Sequence, residues 1–218
     1  GRVKEIILNE IELNEKFVIE IKKLLEIGEN FHIEFKAEAL WSVTYNSIQL
    51  KESKSFELRE YGQRASKIII AKSIAAFLNS DGGNLVIGIK EKKEEKKFEI
   101  IGIEEDMKKT REPGVDGYKR VLIDEVIRAF FPSKIFNHLN DYISFEFVTM
   151  ENSGNLGTFS PESPMDISER SDLINRNIHI EGKVVCWIKI KKSDSRVFLK
   201  LNDKENFMIR VDSENRTL

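Results

Sequence analysis

The chain has 218 residues, with 35 Lys+Arg against 37 Asp+Glu and a formal net charge of −2. This length favours one domain with insertions over two, and it buries enough surface for a core without metal or disulfide staples. The single cysteine, Cys186, excludes an internal disulfide and a cysteine-based zinc site, and three histidines (His32, His138, His179) leave little material for a histidine-rich metal centre. No apolar run approaches the roughly 20 residues of a membrane span, and the N-terminus does not read as a signal peptide, so no membrane partner and a cytoplasmic setting are expected. Near-balanced charge argues against wholesale polyanion binding but leaves local basic patches open.

Residues Asn14 to Glu26 place Phe17, Ile21, Leu24 and Leu25 at helical spacing and predict an amphipathic helix that stops at Gly28. Phe31 to Lys36 alternates apolar and polar residues as a strand does. The stretch Ala37 to Glu60 fits neither period. Ala65 to Leu78 predicts a closely packed helix, and Asn79-Ser80-Asp81-Gly82-Gly83 a sharp turn into the apolar strand Asn84 to Ile89. The charged run Lys90 to Lys97 reads as a hairpin tip, with Phe98 to Ile103 as the returning strand. Tyr118 to Phe130 predicts a second amphipathic helix closed by Pro132, and Tyr142 to Met150 a strand. From Glu151 to Gly182 the composition shifts to Asn, Ser, Gly, Pro and Asp, as expected of a long mobile insertion. Val184 to Ile190, Val197 to Leu199 and Phe207 to Val211 are late strands. The order predicts one α+β domain with a mixed, mostly antiparallel sheet and packed helices: a core over 14–150, an insertion over 151–182 and closing strands over 183–218.

Three features could carry chemistry. Period two puts His32, Glu34 and Lys36 on one strand face, opposite Phe31, Ile33 and Phe35. Fully extended chain would hold Glu29 roughly 16 Å from Glu34, but the turn after Gly28 can fold the two carboxylates together, where they could hold a hard divalent cation. The alternative is a solvated strand face with Lys36 as a salt-bridge partner. Second, Gly82 and Gly83 could turn backbone N–H groups towards a phosphate; no Gly-Lys-Ser follows and the loop runs helix to strand, so a tight turn before a buried strand is the simpler account. Third, the last 36 residues carry nine bases (Lys183, Lys189, Lys191, Lys192, Arg196, Lys200, Lys204, Arg210, Arg216) against five acids (Asp194, Asp203, Glu205, Asp212, Glu214), a net +4. That is either a phosphate-tracking patch or an edge sheet protected by lysine. Cys186, inside an apolar strand, reads as inert core.

Taken together, these segments resemble a known family. Gly28-Glu29-Asn30-Phe31-His32-Ile33-Glu34-Phe35-Lys36 is similar to the opening signature of the Schlafen AlbA-like domain, in which a Glu is followed five residues later by Glu-Phe-Lys. Ile74 to Ile89 resembles the family's Ala-Phe-Ala-Asn-Thr-x-Gly-Gly-x-Leu-x-Ile-Gly-Val stretch, and Ile101-Gly102-Ile103 its return. Phe198-Leu199-Lys200 and Phe207-Met208-Ile209-Arg210 are similar to its closing strands. The resemblance implies paired lobes around a basic groove, hence a homodimer or a lobe of a larger chain, and members that are metal-dependent endoribonucleases acting on tRNA and rRNA or are linked to antiviral defence. It implies a catalytic and metal-binding triad at Glu29, Glu34 and Glu91 holding Mg²⁺ or Mn²⁺, with Lys36 beside the scissile phosphate. Lys189, Lys191, Arg196, Lys200 and Arg210 would hold a nucleic-acid backbone, RNA before DNA. Two departures stand out: Lys90-Glu91 replaces the family's Asp-Asp pair, and Asp212 stands where the family has glycine after the final Arg. The alternative is a non-catalytic nucleic-acid-binding or sensor module. A nucleotide-binding regulator using the Asp81-Gly82-Gly83 turn is a third reading.

Overall fold

The structure, a computed structural model, describes residues 2–92, 97–151 and 182–218. Helix α1 (Arg2–Ile27) leads into strand β1 (Ile33–Lys36). A 3-10 turn (Trp41–Thr44), α2 (Ser47–Glu52) and α3 (Phe56–Tyr61) bridge to α4 (Ala65–Asn79). Strand β2 (Gly83–Ile87) is followed by β3 (Ile89–Lys92), β4 (Lys97–Ile100) and α5 (Glu104–Met107). Helix α6 (Gly114–Val121) continues through a π-helical turn (Leu122–Ile127) into α7 (Arg128–Phe130), and α8 (Ser133–Asn137) and α9 (Leu139–Tyr142) precede β5 (Ile143–Glu151). Strands β6 (Gly182–Ile190), β7 (Phe198–Leu201), β8 (Lys204–Val211) and β9 (Glu214–Thr217) complete the chain.

The predicted α+β class holds. The main sheet has the order β1-β2-β6-β5, parallel between β1 and β2 and antiparallel elsewhere; β3-β4 is a hairpin, and β7-β8-β9 forms a second antiparallel sheet. The predicted helix at 14–26 begins twelve residues earlier, at Arg2, because no stop signal interrupts that run. It ends as read, with the Gly28 N–H on Leu24 O at 2.9 Å and Gly28 at φ +79°. The unassigned stretch 37–60 holds helices of six residues, too short for periodicity to register; Asn46 and Ser55 cap them through side-chain oxygens. Of the expected hairpin tip Lys90 to Lys97, Lys90–Lys92 and Lys97 are paired strand and 93–96 lie outside the described residues; of the expected insertion Glu151 to Gly182, the two ends pair in β5 and β6 and 152–181 lie outside the described residues.

Hydrophobic packing sandwiches the main sheet. On one face Phe17, Val18, Ile21, Leu24 and Leu25 of α1 meet Ile33, Phe35, Val86, Val148, Met150, Val185 and Trp187. On the other, α4 and the long α6–α7 helix cover Leu85, Ile87, Cys186 and Ile188. Helix α4 is buried almost all round, from Ala65 to Leu78, because the second sheet packs on the side that the main sheet does not. Its last residue, Asn79, fixes that arrangement: its amide donates to Val197 O (2.8 Å) and Met208 O (2.9 Å) and accepts from Val197 N (2.8 Å). Burial pushes the Cys186 thiol far above its ordinary range, which makes it an unreactive core residue at neutral pH.

The Asp81-Gly82-Gly83 turn closes α4 onto β2. The Gly82 N–H donates to Phe77 O at 3.0 Å, and Asp81 pairs with Lys192 at 3.0 Å. Gly83 lies so close to the buried Phe77 ring that a Cβ would sit 2.4 Å from it and 2.7 Å from His32 O. Gly83→Ala is therefore expected to destabilise the fold by about 2–3 kcal/mol through overpacking, read as a lowered urea midpoint at unchanged slope.

Candidate functional site

Glu34 sits within β1, and the residues on either side of it, Ile33 and Phe35, face α1. The opposite face is expected to be solvated, yet Glu34 is only 4% exposed, because α4 and the β8-β9 hairpin close over it. The carboxylate is fully partnered. Oε1 accepts from Ser73 Oγ at 2.9 Å and Asn215 Nδ2 at 3.2 Å, and it pairs with Lys36 Nζ at 2.5 Å. Oε2 accepts from Arg210 Nη1 at 2.6 Å and Asn215 Nδ2 at 3.1 Å. Asn215 also donates to Ser73 Oγ at 3.0 Å, which closes the ring of bonds.

Arg210 is the second pole of this cluster. Its side chain is wholly buried and its guanidinium lies 4.7 Å from the Phe77 ring centroid. Nη1 also donates to Asn215 Oδ1 (2.8 Å), Nη2 to Asn30 O (2.6 Å) and Ile33 O (3.5 Å), and Nε to Phe31 O (3.4 Å). The planar fork of arginine suits this role, since it satisfies a carboxylate and several carbonyls at once. The expected contact of Arg210 with a nucleic-acid backbone is therefore corrected: the residue is inaccessible and committed to Glu34 and the turn before β1.

The turn after Gly28 does fold Glu29 back towards β1, as the sequence implies. Its Oε1 accepts the Phe35 N–H at 2.8 Å, on the strand edge that β2 does not use. Glu91 is exposed on β3, opposite Phe98 in the hairpin register. Among the described residues no group of three acidic, histidine or cysteine side chains is placed to hold a metal ion. The donor set of Glu34 points the same way, because a divalent cation there would stand against a guanidinium and an ammonium already bonded to the same carboxylate. In this arrangement the three glutamates do not fit Mg²⁺ or Mn²⁺. Lys36, expected beside a scissile phosphate, spends its charge on Glu34, the salt-bridge alternative noted from the sequence.

Of the remaining expected contacts, Lys191, Arg196 and Lys200 are exposed. Lys189 instead stands over the Phe17 and Trp187 rings, 4.5 and 3.9 Å from their centroids, and its charge serves cation–π packing of α1 on the sheet. Sequence reasoning missed Ser73, Asn215 and Asp106. Asp106 is buried and accepts from Ala39 N (2.6 Å), Leu40 N (3.2 Å) and Tyr118 Oη (3.3 Å), holding the chain as it leaves β1.

A sequence model of the family "Schlafen, AlbA_2" matches residues 29–218, nearly the whole chain. The chain belongs to the Schlafen AlbA_2 family, whose members include nucleases and whose domain carries nucleic-acid-related functions. Among solved structures, the DIP2311 protein from Corynebacterium diphtheriae is similar over 94% of this chain and 26% of its own, with 14% sequence identity and a TM-score of 0.42. The chain thus spans about a quarter of that protein's length. No curated protein matches. No helix among the described residues is long and apolar enough to cross a membrane.

Removing one partner of a buried pair strands the other. Arg210→Ala is expected to cost about 3–5 kcal/mol, while the double variant Glu34→Gln/Arg210→Met recovers part of that loss because the buried carboxylate and guanidinium charges go together and only the part-exposed Lys36 ammonium loses its partner. Urea unfolding of the two variants beside the parent reads the difference.

Proposed function

We propose that this chain is a nucleic-acid-binding domain that engages RNA in preference to DNA without cutting it. The observation that carries the choice of binding over cleavage is the commitment of Glu34 to Arg210, Lys36, Asn215 and Ser73. Family membership supports the nucleic-acid class. Lys191 and Arg196, exposed in the loop after β6, and Lys200, exposed on β7, supply cations able to follow a phosphate backbone. Such contacts position a polyanion without reading its sequence. The paired lobes implied by the resemblance would complete the basic groove through a second copy of this chain or a further lobe of a longer one.

A second reading keeps the metal-dependent endoribonuclease, acting on structured RNA such as tRNA and serving antiviral defence. Its support is the return of Glu29 to the Phe35 N–H, one residue along β1 from Glu34. It requires Arg210 and Lys36 to release Glu34 to Mg²⁺ or Mn²⁺ and Glu91 to join from β3.

One assay separates the two. Fluorescently labelled structured RNA is expected to bind the chain equally in EDTA and in Mn²⁺, to stay intact, and to lose affinity linearly in log[salt]. Arg196→Ala and Lys200→Ala should each lower the salt slope by about one counterion. Mn²⁺-dependent cleavage abolished by Glu34→Gln would transfer the assignment to the nuclease.

A further inference from the structure

A cavity of about 390 Å³ opens beside the segment that follows β1, lined by none of the residues of the Glu34 cluster. Leu40, Val43 and Val121 give it apolar walls, and its charged lining is Lys67, Lys109, Arg111 and Glu125. This volume is within the usual range of small-molecule sites, roughly 300–1,000 Å³. Three cations and one carboxylate line the cavity, and two further acids, Asp106 and Glu38, pair with Lys109, so the cation left unpaired among the described residues is Arg111.

Two of the three cations are held by partners. The side chains of Lys67 and Lys109 are 15% and 18% exposed, against 60% or more for many of the chain's surface bases. Lys67 pairs with Glu125, and both line the cavity. Lys109 stands 3.3 Å from the buried Asp106 and 3.8 Å from Glu38, so its position is fixed from behind. Arg111 is exposed and makes no ion pair among the described residues. Its turn is anchored on both sides: the Thr110 hydroxyl lies 2.7 Å from Met107 O and 2.6 Å from Glu112 O. Gly117 lets Glu112 come in, since a Cβ there would lie 1.9 Å from Glu112 O. A guanidinium on an anchored turn and two semi-buried ammonium groups lining the same cavity are the kind of donor set that a phosphate monoester takes. The apolar walls can cover the base or sugar that carries it.

We propose that this cavity binds a phosphate monoester carried on a nucleoside, either a free mononucleotide or the phosphorylated 5′ end of an oligonucleotide. Arg111, Lys109 and Lys67 take the phosphate, Lys67 leaving Glu125 as it does so. Leu40, Val43 and Val121 pack on the nucleoside.

The full chain is titrated with 5′-AMP and adenosine by calorimetry, and with one oligonucleotide bearing a 5′-phosphate or a 5′-hydroxyl by anisotropy. The expected result is at least tenfold preference for the phosphorylated member of one or both pairs. AMP alone preferred identifies a free nucleotide as the source, and the phosphorylated oligonucleotide identifies a nucleic-acid end. Arg111→Ala should weaken the preferred probe at least fivefold, and Glu125→Gln, which frees Lys67, should tighten it; both alter exposed side chains. Equal binding of phosphate and hydroxyl probes, no binding of any, or indifference to Arg111→Ala overturns the proposal. Oligonucleotide binding that ignores the end leaves the nucleic-acid reading standing and removes only the cavity; AMP binding without oligonucleotide affinity does the reverse.

Discussion

The Glu34–Arg210 ion pair is the constraint around which the domain is built. An isolated carboxylate in the interior costs several kcal/mol in lost hydration, and only a well-oriented partner offsets it. Here the partner comes from 176 residues away, reaches the carboxylate at 2.6 Å, and uses its other N–H groups on the carbonyls of the turn that precedes β1. Asn215 and Ser73 fill the lone pairs that Arg210 leaves, so the network carries no unmet oxygen at Glu34. One interaction thereby joins the edge of the main sheet, the central helix and the C-terminal hairpin.

That architecture decides what the first motif does. The spacing of Glu29, Glu34 and Lys36 suggests chemistry, and the fold spends each of them on structure: Glu29 on a backbone N–H, Lys36 on Glu34, and Glu34 on the clasp between two sheets. The glycine turn follows the same logic. Its N–H groups close the end of α4, and its lack of side chains lets β1, β2 and Phe77 approach. What is left accessible lies elsewhere: exposed bases beyond β6, and a cation-lined cavity after β1.

Much of the fold was legible because its elements carry strong local signals. The α1 stripe, the packed α4 helix and the β5 and β6 strands follow from periodicity and turn residues, whereas β3 (Ile89–Lys92) covers residues that read as a charged hairpin tip. The short helices after β1 and the last strand, β9, were not, since each is too brief for a period. Glu34 was misjudged for a physical reason: alternation identifies a polar face but not what covers it, and the cover is contributed by residues 39, 176 and 181 positions away. A usable signal was present in β8, where Arg210 falls in step with the buried Met208. A cation on the core side of a strand implies a buried anion. The departure at Asp212 is likewise explained, because this residue sits at φ +57°, a conformation that glycine adopts without strain.

The side-chain cap that Glu29 places on the Phe35 N–H has a consequence for assembly. β1 is an outer strand of the main sheet, and outer strands recruit extended segments from other molecules through unpaired backbone groups. With Phe35 N–H taken by a carboxylate, and the Ile33 carbonyl and amide tied to Asn30, this rim has no open ladder to offer. Growth of the sheet by strand addition is thereby opposed on that side by the chain's own hydrogen bonds at Ile33 and Phe35.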